Sequence, residues 1–235
     1  MADSKLKDCK ILIKRSFINN KYLLILSFIL CFIPIFLAII FKTNLQPIID
    51  PIINLLKKQI ISGQVSLTYS SIFLNNISTV FKTYVGGLFL GLIPMFILIL
   101  NGLIIGYFIG KGPAIVVLLY IVPHGIFEIP GLIIAATAGF TLLKSGLKFL
   151  SNFFNPDWEY INKNNIKSSE GVLIDKNNIK FKNKLIISFV KNKDILIESL
   201  VLLLISGVLF IIAAFIEVYI TKTIAQYFIH TFHFI

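Results

Sequence analysis

The apolar positions of this chain fall into long runs with short polar breaks. That pattern is too continuous for half-buried strands and too full for the one-sided helices of a soluble bundle. Tyr22 to Phe41 supplies 20 residues without a formal charge, enough for a helix to cross a bilayer core about 30 Å thick. No small-x-small cleavage site follows it, so it reads as an uncleaved membrane anchor. Tyr84 to Gly110 is a second run, with length to spare for tilt, and residues 194–217 form a last one. Between them Ala114 to Leu143 carries Pro123, Gly125 and Pro130 in its middle, where a helix is expected to break. The pattern predicts an all-α integral membrane protein.

Composition agrees: 57% hydrophobic against 14% charged residues, with a mean hydropathy of +0.89, exclude a water-soluble globule. A disulfide between Cys9, in a lysine-rich segment, and Cys31, inside the first run, is not expected. A net charge of +11 would suggest nucleic acid in a soluble protein. No aromatic-basic platform or helix-turn-helix pattern accompanies it, so nucleic acid is not an expected partner.

The charge instead maps orientation. Six of the 22 positive residues lie in 1–21 and ten in 143–194, and both segments are expected on the cytoplasmic face. With 42–83 outside and Lys111 inside, the stretch 114–143 has to enter the membrane and return. Thirty residues are too few for two full crossings, so a short, broken, re-entrant-like hairpin around 114–143 is expected. The result is five helical membrane segments in a multi-pass protein of the cell membrane, N-terminus cytoplasmic and C-terminus extracytoplasmic. In chain order the expectation is a basic N-terminus (1–21), a first membrane helix (22–41) and an outer loop (42–83) that is amphipathic from Pro47 to Ile61. A second helix with the broken hairpin (84–150), a cytoplasmic Lys/Asn-rich loop (151–193), a last helix (194–217) and an aromatic outer tail (218–235) complete it. Asn76-Ile77-Ser78 fits a glycosylation acceptor, a match that chance explains in an Asn-rich chain.

Small residues recur every four positions, in Gly87-xxx-Gly91, Gly102-xxx-Gly106-xxx-Gly110 and Gly131-xxx-Ala135-xxx-Gly139. Such rows let helix backbones approach closely in lipid, here the second helix against the broken hairpin, within one chain or across a homodimer. Polar groups at membrane depth each need a reason. Asn101, His124, Glu128 and Glu217 form the candidate functional cluster, while Glu198, one turn into the last run, is expected to reach the interface.

Pro123-His124-Gly125-Ile126-Phe127-Glu128-Ile129-Pro130, followed by the small-residue run Ala135 to Gly139, resembles the Pro-His-Gly-x-x-Glu motif of the stage II sporulation protein M family and its Ala/Gly-rich helix. Asn101-Gly102 with Gly106, and Ile216-Glu217 with Thr221, match in the same order, so the resemblance covers roughly residues 75–221. It implies an integral membrane protein with no established catalytic activity of its own; the family's founding member anchors a peptidoglycan-remodelling complex, and relatives occur widely in prokaryotes that do not sporulate. No cofactor is expected. The expected role is a membrane anchor or scaffold for other membrane or envelope proteins, in contact with lipid. The alternative is a permease for a small solute, lipid or ion with its site at the broken hairpin. A third reading joins His230 and His233 to His124 and Glu128 as metal ligands, without cysteines or a dense His/Glu cluster to support it, and no metal site is predicted. No nucleophile motif is present.

Overall fold

The computed structural model of the chain describes residues 2–62, 68–156 and 181–221, with 223, 224 and 227. Seven helices make up most of it: α1 (Ala2–Asn19), α2 (Lys21–Ile40), α3 (Lys42–Ile61), α4 (Tyr69–Val85), α5 (Leu92–Lys111), α6 (Ala114–Phe154) and α7 (Phe181–Ile216). No strand occurs among the described residues. Four helical stretches there are long and apolar enough to cross a membrane: Lys21–Ile40, Leu92–Lys111, Val117–Phe154 and Phe181–Thr221.

The expected hairpin is absent. One α-helix runs from Ala114 to Phe154 with Pro123 and Pro130 inside it. Each proline forfeits one hydrogen bond four residues back, a loss that neighbouring helices make tolerable in a membrane protein. The helix is packed on α2, α5 and α7, so Pro123 and Pro130 interrupt a bonding pattern without interrupting the rod. The second predicted run is instead divided. Thr68 caps α4 by accepting from the Ser71 amide at 3.4 Å, and the chain turns through Gly86–Leu88. Leu90 and Gly91, at φ 53° and 73°, complete the reversal into α5. The left-handed conformation at Gly91 is one that a residue without Cβ adopts readily.

Contacts fix the helix directions. Gly102, Gly106 and Gly110 of α5 face Cys31, Ile35 and Ile39 of α2 in that order, so α2 and α5 are parallel. A Cβ on Gly102 or Gly106 would run into the Cys31 or Ile35 carbonyl. These glycines therefore serve the α2–α5 contact and not the expected one with 114–143. Ser206 Oγ donates to the Gly131 carbonyl at 2.8 Å and His124 meets Thr221, so α6 and α7 are antiparallel. The Tyr69–Tyr219 ring contact (6.1 Å) and the Tyr84–Ser199 hydrogen bond (3.1 Å) set α4 antiparallel to α7. Gly139 abuts Thr83 of α4 and the turn residue Gly87, a close approach the small-residue rows did predict. Ala135 is fully buried, and Gly131 lies against Phe210.

Five helices share one apolar core, with Cys31 from α2, Val80 from α4, Leu98 from α5, Leu132, Ala135, Ala136 and Phe140 from α6, and Phe210 from α7. Helix α3 starts at Lys42, five residues before the amphipathic stretch read from sequence. It packs Ile49 and Ile53 on Ala38 and Tyr107 while Ile48 and Ile52 stay exposed. Asn76 is buried within α4, which removes it as a glycosylation acceptor. Helix α7 begins thirteen residues before the last predicted span, so residues 181–193 of the Lys/Asn-rich loop are helical. His230 and His233, with most of the aromatic tail, lie outside the described residues.

Candidate functional site

Ile121, His124, Gly125, Glu128, Ile129 and Leu132 recur at three- and four-residue spacing and so share one face of α6. Opposite stand Asn101 and Phe108 of α5 and Cys31 of α2, and the three helices border a partly open cavity of about 220 Å³. Asn101, His124 and Glu128, predicted as a cluster from scattered polar positions, thus line one space. Glu217 approaches from α7, near enough to Glu128 for their charges to act on each other.

A short π-turn, Glu217–Thr221, delivers Glu217 and Thr221. Widened turns of this kind often occur at functional sites because they re-aim side chains. Thr221 Oγ1 donates to the Ile216 carbonyl at 3.2 Å, so its one proton is committed. The His124 nitrogen facing it, Nδ1 at 3.3 Å, is then the donor. The other ring nitrogen, Nε2, lies 3.6 Å from Glu128 Oε2. A neutral ring with its proton on Nδ1 offers only a lone pair there, so the pair attracts only when a proton lies between imidazole and carboxyl. Asn101 donates Nδ2 to the Ile97 carbonyl at 2.8 Å, leaving its amide oxygen as an acceptor. No group of three His, Cys, Asp or Glu among the described residues is placed to hold a metal ion.

A second polar layer lies at the other end of the bundle. Glu198 is 3% exposed and held between α1, α2 and α7. Arg15 Nε donates to Oε1 at 3.0 Å and Asn19 Nδ2 to the same oxygen at 2.7 Å, while Asn20 Nδ2 reaches Oε2 at 3.1 Å. Lys144 from α6 donates to Asn20 Oδ1 at 3.3 Å, and Arg15 also meets Asp194 at 3.4 Å. The sequence carried a signal for this layer in Arg15, Asn19 and Asn20, one helical turn apart just before an apolar run. At 1.5 Å per residue, Glu198 and Glu217 stand about 30 Å apart along α7, the thickness of a bilayer core.

A third cluster joins α3 to the end of α5. Lys111 Nζ lies 2.6 Å from both Asp50 oxygens, and Tyr107 donates its hydroxyl to Asp50 at 2.6 Å. The Lys111 ammonium, then the Tyr107 hydroxyl, hold the Asp50 carboxyl below the usual aspartate range. Lys42 donates to the Gly110 carbonyl at 2.6 Å. Lys111 therefore sits where α2 ends, at the opposite end of the bundle from Arg15, which corrects the expectation that it shares a side with the basic N-terminus.

Two uncharacterized proteins of the archaeon Methanocaldococcus jannaschii are similar to this chain. One is 32% identical over 69% of this chain and 76% of its own, the other 26% identical over 93% and 90%. No solved structure matches. A family model described as stage II sporulation protein M matches residues 26–222, a range that takes in Asn101, His124, Glu128 and Glu217 and the helices that carry them. The chain belongs to the stage II sporulation protein M family.

Proposed function

We propose that this protein is an integral membrane scaffold that holds partner proteins at the cell envelope through a helical stalk on the cytoplasmic side. The observation that carries the reading is the length of α6 and α7. From Glu198 back to Phe181, α7 runs about 25 Å beyond the buried polar layer, with the end of α6 beside it and Phe153 edge-on to Phe181 at 5.3 Å. This stalk exposes Leu147, Leu150, Phe154, Phe181 and Phe189 among Lys148, Lys182 and Lys184. Large apolar side chains in an aqueous compartment favour a protein partner.

The orientation rests on five crossings, with α4 as the fifth beside the four apolar helices. The helices α2, α5 and α7 run outward and α4 and α6 inward. The positive residues of α1 and of the α6–α7 stalk then share the cytoplasmic side, and the C-terminus lies outside. Photocrosslinking groups placed at Leu150 and Phe189 in intact cells should give protein adducts of discrete mass, while one at Phe36, exposed on α2, should give lipid. Lipid adducts at all three positions would refute the scaffold.

A second reading, a permease for a small solute, lipid or ion, is favoured by the cavity at Glu128. Solute flux in liposomes holding only this protein is its test.

A further inference from the structure

Packing alone does not require a cavity beside a carboxylate at membrane depth. We propose that the space between α2, α5 and α6 binds a small organic cation bearing an amine or ammonium group, its charge against Glu128 and its apolar part among Ile104, Ile105 and Phe108. The assignment rests on the second reading above only in taking the cavity as a binding site; passage through the membrane is not required.

Three properties of the cavity select this chemistry. Its one carboxyl is that of Glu128, on which the Glu217 charge acts, and none of the lining residues is Lys or Arg. A carboxylate in apolar surroundings is costly, and a positive guest offsets that cost. Its side-chain oxygens are few, from Glu128 and Asn101, whereas a hard metal cation takes six or more oxygen ligands. The ligand must therefore bring its own apolar or hydrogen-bonding shell. The remaining wall is largely aliphatic, with Phe108 the one phenyl ring in it. Such a wall suits an alkyl chain, and an aromatic face attracts an ammonium directly. The Asn101 amide oxygen can accept an N–H, while His124, which also lines the space, has its Nδ1 engaged by Thr221.

A free alkylamine and the ethanolamine headgroup of a lipid offer this same chemistry. The test is calorimetric titration of the full chain, in maltoside micelles that carry no amine, with butylammonium chloride against sodium chloride. One saturable site per chain is expected for butylammonium and none for sodium. Glu128→Gln should weaken it about tenfold or more, the loss of one charge-assisted contact. Ile105→Trp, which fills the cavity and keeps the acid, should abolish it. Competition by phosphatidylethanolamine would identify the lipid headgroup as the source, and its failure to compete the free amine; both outcomes support the site. Equal heats for sodium and butylammonium, or butylammonium binding unchanged in both variants, would overturn it. Binding without flux in liposomes would retire transport and leave this site standing, and flux without butylammonium binding would do the reverse.

Discussion

Two acids mark the ends of one apolar bundle, and their surroundings are opposite. Glu198 accepts from Arg15, Asn19 and Asn20 and is almost wholly enclosed. Glu128 meets a single imidazole across 3.6 Å, has a second acid nearby and borders an open cavity. Exposure differs as well, 4% for the Glu198 side chain and 33% for that of Glu128. The difference in use is whether the acceptor capacity of the carboxylate is already taken up. Glu198 ties the N-terminal helix to the last one, whereas Glu128 retains capacity for a guest.

The sharpest way to break this contrast is the same change at both ends. Glu198→Gln turns an amide donor toward three donors and should cost about 2 kcal/mol. That is below the usual penalty for breaking a buried ion pair because the Arg15 side chain is 42% exposed. Glu128→Gln relieves repulsion with Glu217 while loosening the bond to His124, and should change stability by about 0.5 kcal/mol or less. Unfolding of the micellar protein by titrated dodecyl sulfate measures both. Equal costs would mean that the two layers are locks of one kind.

Helix spacing offers a smaller lever. Gly106→Ala presses a methyl group on the Ile35 carbonyl and pushes α5 from α2, which between them form two walls of the cavity. A cost of about 1.5 kcal/mol is expected, typical of overpacking. Gly207→Ala, with nothing within 4 Å of the added methyl, should be neutral or stabilising by about 0.5 kcal/mol. The same unfolding titration tests the pair, and equal effects would show that the α2–α5 contact is not tight enough to shape the cavity.

Much of this arrangement was legible in the residues. The apolar runs located α2, α5, α6 and α7, and the spacing of His124 and Glu128 gave them a shared face. The charge map demanded one more traverse than the apolar runs supplied, and the prolines drew it to 114–143. Helix α4, which like α6 runs antiparallel to α7, is hidden from hydropathy by Asn75, Asn76, Thr79, Lys82 and Thr83. Its hydroxyls bond to its own backbone, Thr83 to the Thr79 carbonyl at 2.7 Å and Thr79 to the Asn75 carbonyl at 2.9 Å, so a polar sequence makes a helix that buries Asn76, Val80, Thr83 and Tyr84 on one face. The cavity had no local signature either, since Cys31, Asn101 and Glu128 meet only after α2 and α5 pack in parallel. The π-turn that aims Glu217 and Thr221 depends on where α7 ends against α6.

Asp50 supplies the smallest and most selective test, because it is bonded as fully as Glu198 yet faces water. If acceptor use rather than burial makes an acid structural, the Asp50 pair with Lys111 should still hold α3 on α5, with a pH dependence of predictable sign. Its carboxyl titrates below the ordinary 3.8, chiefly through the Lys111 bond and then that of Tyr107. A depressed folded value means that the contribution is complete above about pH 4 and disappears as pH falls through the lower folded value. Amide hydrogen exchange across Leu45–Leu55 should therefore be slow and unchanged from pH 7 to pH 5, after correction for the intrinsic rate. It should rise below pH 4, and Asp50→Asn should show the raised exchange at every pH. High salt should reproduce part of the loss, because both partners are solvent-exposed. Exchange that ignores both acid and Asp50→Asn would mean that Ile49 and Ile53 alone seat the helix, and that a well-bonded acid at the surface does little that a buried one does.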